Sequence, residues 1–204
     1  MTKSLFNSLA ILSTVFIGTS CLASSTVENK ADDFINDVDK FEDVVPIEMI
    51  EKEWKCPECN VNEQYVLAEL QENTQITDRN ALATIMGNIK QESKFFPNIC
   101  EGGARVSYDK CYSGGYGLIQ WTTLSRYKGL GDFCEKYDCD PSSLEGQTRY
   151  MINEDIFQNN LPMFEGSGLT VSEYMTPAYY WLGWGIEGDR RQYSYDYTKK
   201  LVWA

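Results

Sequence analysis

From Thr77 to Phe96 the apolar residues Leu82, Ile85, Met86 and Ile89 recur at helical spacing. Thr77 and Asp78 are cap-type residues ahead of this run, and Pro97 closes it. The pattern predicts an amphipathic helix. A second helix is predicted through about Asn153, where Ser142 and Glu145 suit a capping box and Leu144, Tyr150, Met151 and Ile152 supply the apolar positions. Between them, Gly114, Gly115 and Gly117 form a glycine-dense turn that runs into a short β-capable segment ending near Thr122. The expected class is therefore α+β, predominantly α, with a small β-hairpin. No internal repeat is visible along the chain.

The first 55 residues read differently. Lys3, the apolar run from Leu5 to Phe16 and the small-residue exit Cys21-Leu22-Ala23 fit an export signal over residues 1–23. Cleavage after Ala23 is one fate; lipidation of Cys21 or retention as a weak anchor are the others, and only these two would make a membrane a partner. Residues 24–55 hold ten acids against four lysines with scattered apolar positions, the composition of an acidic linker. The folded domain is expected over residues 56–204. Without Cys21, six cysteines remain in three local pairs, Cys56/Cys59, Cys100/Cys111 and Cys134/Cys139, and local disulfide pairing is the simplest arrangement. The Cys56-Pro57-Glu58-Cys59 unit also has the spacing of a redox motif, but it lacks the strand-turn-helix setting of one.

Composition narrows the chemistry. The 204 residues contain no histidine, which removes Ser-His-Asp and Cys-His nucleophiles, HExxH zinc sites and imidazole bases together. Catalysis is left to carboxylates, thiols or hydroxyls. A formal charge of −12 argues against nucleic acid or an anionic lipid surface as a partner.

Glu92 is the residue to which this points. It follows Ile85 by seven positions, so at about 100° per residue it lies within roughly 20° of the apolar stripe. A carboxyl group aimed at hydrocarbon has its charged form penalised, which keeps it protonated and fits it to act as a general acid. Glycosidic cleavage needs such a group, because the bridging oxygen leaves poorly until it is protonated. The alternative is a helix-end acid paired with Lys94 or Arg105. Gln120 and Trp121, just past the glycine-dense turn, offer an amide fork for sugar hydroxyls and a flat apolar face for a pyranose, although Trp121 also suits a core position.

Gly87-Asn88-Ile89-Lys90-Gln91-Glu92-Ser93, followed by Gly115-Tyr116-Gly117-Leu118-Ile119-Gln120-Trp121-Thr122 and Arg126, resembles the phage tail lysozyme family of the lysozyme-like superfamily over about residues 61–200. The resemblance implies a lysozyme-like fold with Glu92 as proton donor and Tyr116, Gly117, Gln120 and Trp121 as substrate-cleft residues. It implies cleavage of the β-1,4 bond between N-acetylmuramic acid and N-acetylglucosamine in peptidoglycan, with no metal or organic cofactor. The setting it implies is secreted, periplasmic or virion tail, with virion tail proteins as further partners.

A second catalytic group is harder to place. Glu101 follows Glu92 by nine positions and Ser107 follows Glu101 by six, close to the spacing of the Glu, Asp or Cys, and Thr of phage-type lysozymes, with two of three residue types changed. Asp109 is the next candidate. Without a second acid, the single-Glu chemistry of lytic transglycosylases becomes preferable. A non-catalytic glycan-binding module is the rival from outside enzymology. Nine aromatics between Tyr174 and Trp203 suit a carbohydrate wall or an aromatic core, with core expected for about two thirds of them. Glu187 is expected to pair with Arg190 or Arg191.

Overall fold

A computed structural model describes residues 52–112 and 114–204. The export segment and nearly all of the expected linker lie outside the described residues. Among those described, seven α-helices and one two-stranded antiparallel sheet make up the fold: β1 Trp54–Lys55, α1 Val61–Asn73, α2 Arg79–Ser93, α3 Leu124–Tyr137, α4 Leu144–Asn153, α5 Asp155–Phe164, α6 Val171–Leu182, α7 Arg190–Lys200 and β2 Val202–Trp203. The class is mostly helical with a small sheet, as the pattern predicts. None of these helices is long and apolar enough to cross a membrane. The sheet joins the two ends of the folded unit, Trp54 opposite Trp203 and Lys55 opposite Val202. Folded structure thus begins ahead of Cys56, because β2 offers Trp54 and Lys55 a partner strand.

α2 is the central helix. Asp78 caps it by accepting from the amides of Asn80 and Ala81. Every residue from Ala81 to Ile89 is buried, so the predicted amphipathic helix is covered all round. Its small and polar positions mimic a solvent face in sequence, yet the Thr84 hydroxyl and the Asn88 amide nitrogen donate within the helix to the carbonyls of Asn80 and Thr84. Gly87 explains how α7 comes so near. A Cβ there would lie 2.3 Å from Ser194 Oγ and 2.4 Å from the Ser194 amide nitrogen, so only glycine permits the crossing.

The stretch between α2 and α3 is held by isolated antiparallel bridges, Ile99 to Arg105, Cys100 to Tyr116 and Tyr116 to Trp121, the last closing a minimal hairpin turn. All three local cysteine pairs are disulfide-bonded. α4 occupies the place predicted for the second helix. Its cap is Ser143, which accepts from the Gly146 amide, while Ser142 accepts from the Tyr108 amide and Glu145 pairs with Arg149; the capping box expected of Ser142 and Glu145 does not form. Buried Gln147 on α4 accepts from Leu118 N at 2.7 Å and donates to the carbonyls of Pro97 and Pro141, also at 2.7 Å. One amide thus pins both ends of the loop over α4.

Candidate active site

Glu92 stands in the last turn of α2, where the carbonyl end of the helix disfavours a negative charge. Immediately beyond it Lys94 and Phe95 take left-handed backbone angles, φ 53° and 64°, which turn the chain sharply. The Ser93 hydroxyl accepts from Phe95 N and donates to Leu118 O at 2.7 Å. That bond joins the two sequence motifs: the helix bearing Glu92 and the segment from Gly115 to Trp121 meet at Ser93.

The Glu92 side chain is only 15% exposed and its partner is Arg190, 7% exposed, which donates from Nη2 to Glu92 Oε1. Neither Lys94 nor Arg105 takes that role. Arg105 lies over the Phe96 ring and donates to Asn98 instead. Burial pushes the Glu92 carboxyl above the ordinary glutamic acid value, against the opposing pull of Arg190 and, more weakly, of Arg126. Arg190 is itself fixed. Its Nη1 donates to the carbonyls of Ile186 and Glu187, both at 2.9 Å, and its guanidinium lies 4.8 Å from the Trp184 ring centre. Of the two arginines expected for Glu187, Arg191 is the one that takes it, at 2.8 Å.

The other expected site residues are placed as follows. Tyr116 and Trp121 are fully buried. Trp121 therefore presents no face on which a sugar could stack; it packs on Tyr150 and donates at 3.4 Å to Glu154, which Arg126 grips with two bonds of 2.6 Å. Tyr116 likewise lies inside, with its hydroxyl on Val106 O. Gly117 is buried in a left-handed turn, φ 75°, where a Cβ would strike Gln147. Gln120 is half-buried and its amide donates to Gly117 O and Ile99 O, so its donors serve the loop itself. These four residues build the floor under the loop. Glu101 is exposed and accepts from Gly115 N at 3.0 Å. Asp109 is exposed too, and the Ser107 hydroxyl and the Lys110 ammonium hold its carboxyl below the ordinary value.

Aromatic distribution also departs from expectation. Of the nine rings between Tyr174 and Trp203 only Tyr174, Trp181 and Tyr197 are buried; Trp184 and Tyr193 are half-buried, and Tyr179 and Tyr180 on the last turn of α6, Tyr195 on α7 and Trp203 in β2 are exposed. Among the described residues no three histidine, cysteine, aspartate or glutamate side chains gather closely enough to hold a metal ion.

The profile of the phage tail lysozyme family matches residues 61–176, more than half of the chain. The chain belongs to the phage tail lysozyme family. A search of curated proteins finds no match. For this phage tail lysozyme relative, membership supports peptidoglycan lysis in general, with peptidoglycan as substrate, by a virion-borne or extracellular enzyme. Glu92, Ser93 and the Gly115 to Trp121 segment fall inside the matched region. Trp184, Glu187 and Arg190 lie beyond it. Sequence reasoning missed Arg190 as the partner of Glu92, since the two are 98 positions apart and no spacing rule connects them.

Proposed function

We propose that this lysozyme-family protein cleaves the β-1,4 bond between N-acetylmuramic acid and N-acetylglucosamine with Glu92 as general acid. The observation that carries the reading is a carboxyl group that is largely buried at the end of a core helix and raised above its ordinary value, yet still reaches the surface. In the reaction the Glu92 proton passes to the bridging oxygen as the bond from that oxygen to the anomeric carbon breaks. Water then bonds to the anomeric carbon and its proton returns to carboxylate, leaving a reducing end. Glu101 is the second catalytic group in this scheme, and its release from the Gly115 amide would free it to guide the water. Release outside the cell or on a virion tail fits the substrate, and the three disulfides fit an oxidising setting.

A second reading is favoured by the local partners of Glu101 and Asp109, Gly115 N for the first and Ser107 and Lys110 for the second, which already engage both acids. In it the 6-hydroxyl of the muramoyl sugar attacks in place of water and leaves a 1,6-anhydro end. Mass spectrometry of digested muropeptides separates the two, since reducing ends select water and anhydro ends select the sugar hydroxyl. Glu92→Gln keeps the shape and removes the exchangeable proton. It is expected to lower clearing of cell walls by at least about a hundredfold while glycan binding persists. Clearing that survives the substitution removes Glu92 from the mechanism.

A further inference from the structure

Beside Glu92, on the stretch of chain past the family match, stands an aromatic corner for which nothing above accounts. Tyr179 and Tyr180 end α6 with 48% and 62% of their surfaces exposed, and half-buried Trp184 follows in the loop. The rings meet edge to face, Tyr179 with Tyr180 at 5.6 Å and 66°, Tyr179 with Trp184 at 5.3 Å and 80°. Each edge-to-face pair covers one face of one ring and Arg190 covers a face of Trp184, so the surface open to a ligand is chiefly that of the two exposed tyrosines. These three residues line a pocket of about 280 Å³, enough for a single sugar ring, with the Glu187–Arg191 ion pair and Ser172 along its polar side. Apolar faces joined to a few convergent polar groups are what a pyranose needs, since one side of the ring is C–H and its rim is hydroxyl.

We propose that Tyr179, Tyr180 and Trp184 form a sugar-stacking subsite that holds one N-acetylated pyranose of a glycan strand next to the acid. The inference rests on the glycan-cleaving reading above and extends it. Geometry ties the subsite rigidly to Glu92. Arg190 stacks on Trp184, bonds Glu92 and gathers the carbonyls of Ile186 and Glu187, while Asp189 N donates to Gln91 Oε1 at 3.1 Å. The loop carrying Trp184 is therefore anchored twice to the final turn of α2, and a sugar stacked there is positioned relative to the proton donor without further ordering.

The test is binding of a hexasaccharide of β-1,4-linked N-acetylglucosamine to the full chain carrying Glu92→Gln, followed by calorimetry, with Tyr179→Ala, Tyr180→Ala and Tyr180→Phe added singly. Both tyrosines are at least half at the surface or close to it, so truncation leaves the core untouched. Each alanine variant is expected to weaken binding about tenfold, and Tyr180→Phe, which keeps the ring face, to bind as its parent does. Unchanged binding in both alanine variants, or no binding by the parent, overturns the subsite. Wall clearing by the chain with native Glu92 is measured in parallel. Clearing without tyrosine-dependent binding leaves the catalytic reading standing and sinks the subsite; tyrosine-dependent binding without clearing does the reverse.

Discussion

Glu92 is under two opposed pressures, and their balance is set by one side chain. Removal from water favours the protonated acid, while the Arg190 guanidinium favours the carboxylate. Replacing Arg190 by Met removes most of the second pressure and leaves only the weaker pull of Arg126, so the carboxyl value rises further. A general acid works while it holds its proton, and activity falls as pH passes upward through that value. The alkaline limb of the pH–rate profile is thus expected to move to higher pH in Arg190→Met; a limb that stays in place or moves down would show that Arg190 does not govern the acid. At this scale the sequence was informative about Glu92 and silent about its partner. Glu92 follows from helical period within a single element, whereas Arg190 reaches it only through the crossing of two helices. Trp121 shows the opposite error, since residue type cannot distinguish an indole that greets a sugar from one that donates to a buried Glu154.

Helices α2 and α7 cross at Gly87 and Ser194, and that crossing delivers Arg190 to Glu92. A helical Gly→Ala substitution at an open surface is stabilising through propensity. Here the added methyl meets backbone atoms of α7, and the expected sign reverses: Gly87→Ala costs about 2 kcal/mol of unfolding free energy in a denaturant titration, with activity lost as α7 is pushed away. Stability equal to or above the wild type would mean that the two helices part at no cost. α7 was not legible in the sequence because its inward face is made of Arg190, Ser194 and Tyr197, a polar stripe that hydrophobic periodicity cannot register. α2 and α4 were legible, since each has a cap and apolar positions at the right period. α2 has an amphipathic pattern yet is covered all round, because Ala, Thr, Gly and Asn, which resemble a weak polar face, are the residues that allow neighbouring helices close approach.

For the whole molecule, the formal charge of −12 sets this protein against an anionic wall polymer. Added salt shortens the Debye length to roughly 8 Å at 0.15 M and roughly 3 Å at 1 M, so clearing of isolated walls is expected to hold or rise between low and moderate ionic strength. A steep fall would point to an attractive patch that outweighs the net charge. The two-residue sheet has a mechanical meaning at the same scale. Glu53 and Ala204 exchange backbone hydrogen bonds of 3.0 and 3.1 Å beside the paired Trp54 and Trp203, so the two ends of the folded unit leave from one spot. Tension between a tether before Lys52 and a cargo fused after Ala204 would unzip that short seam first, and the load would be shed there before it reached the helices that hold the acid.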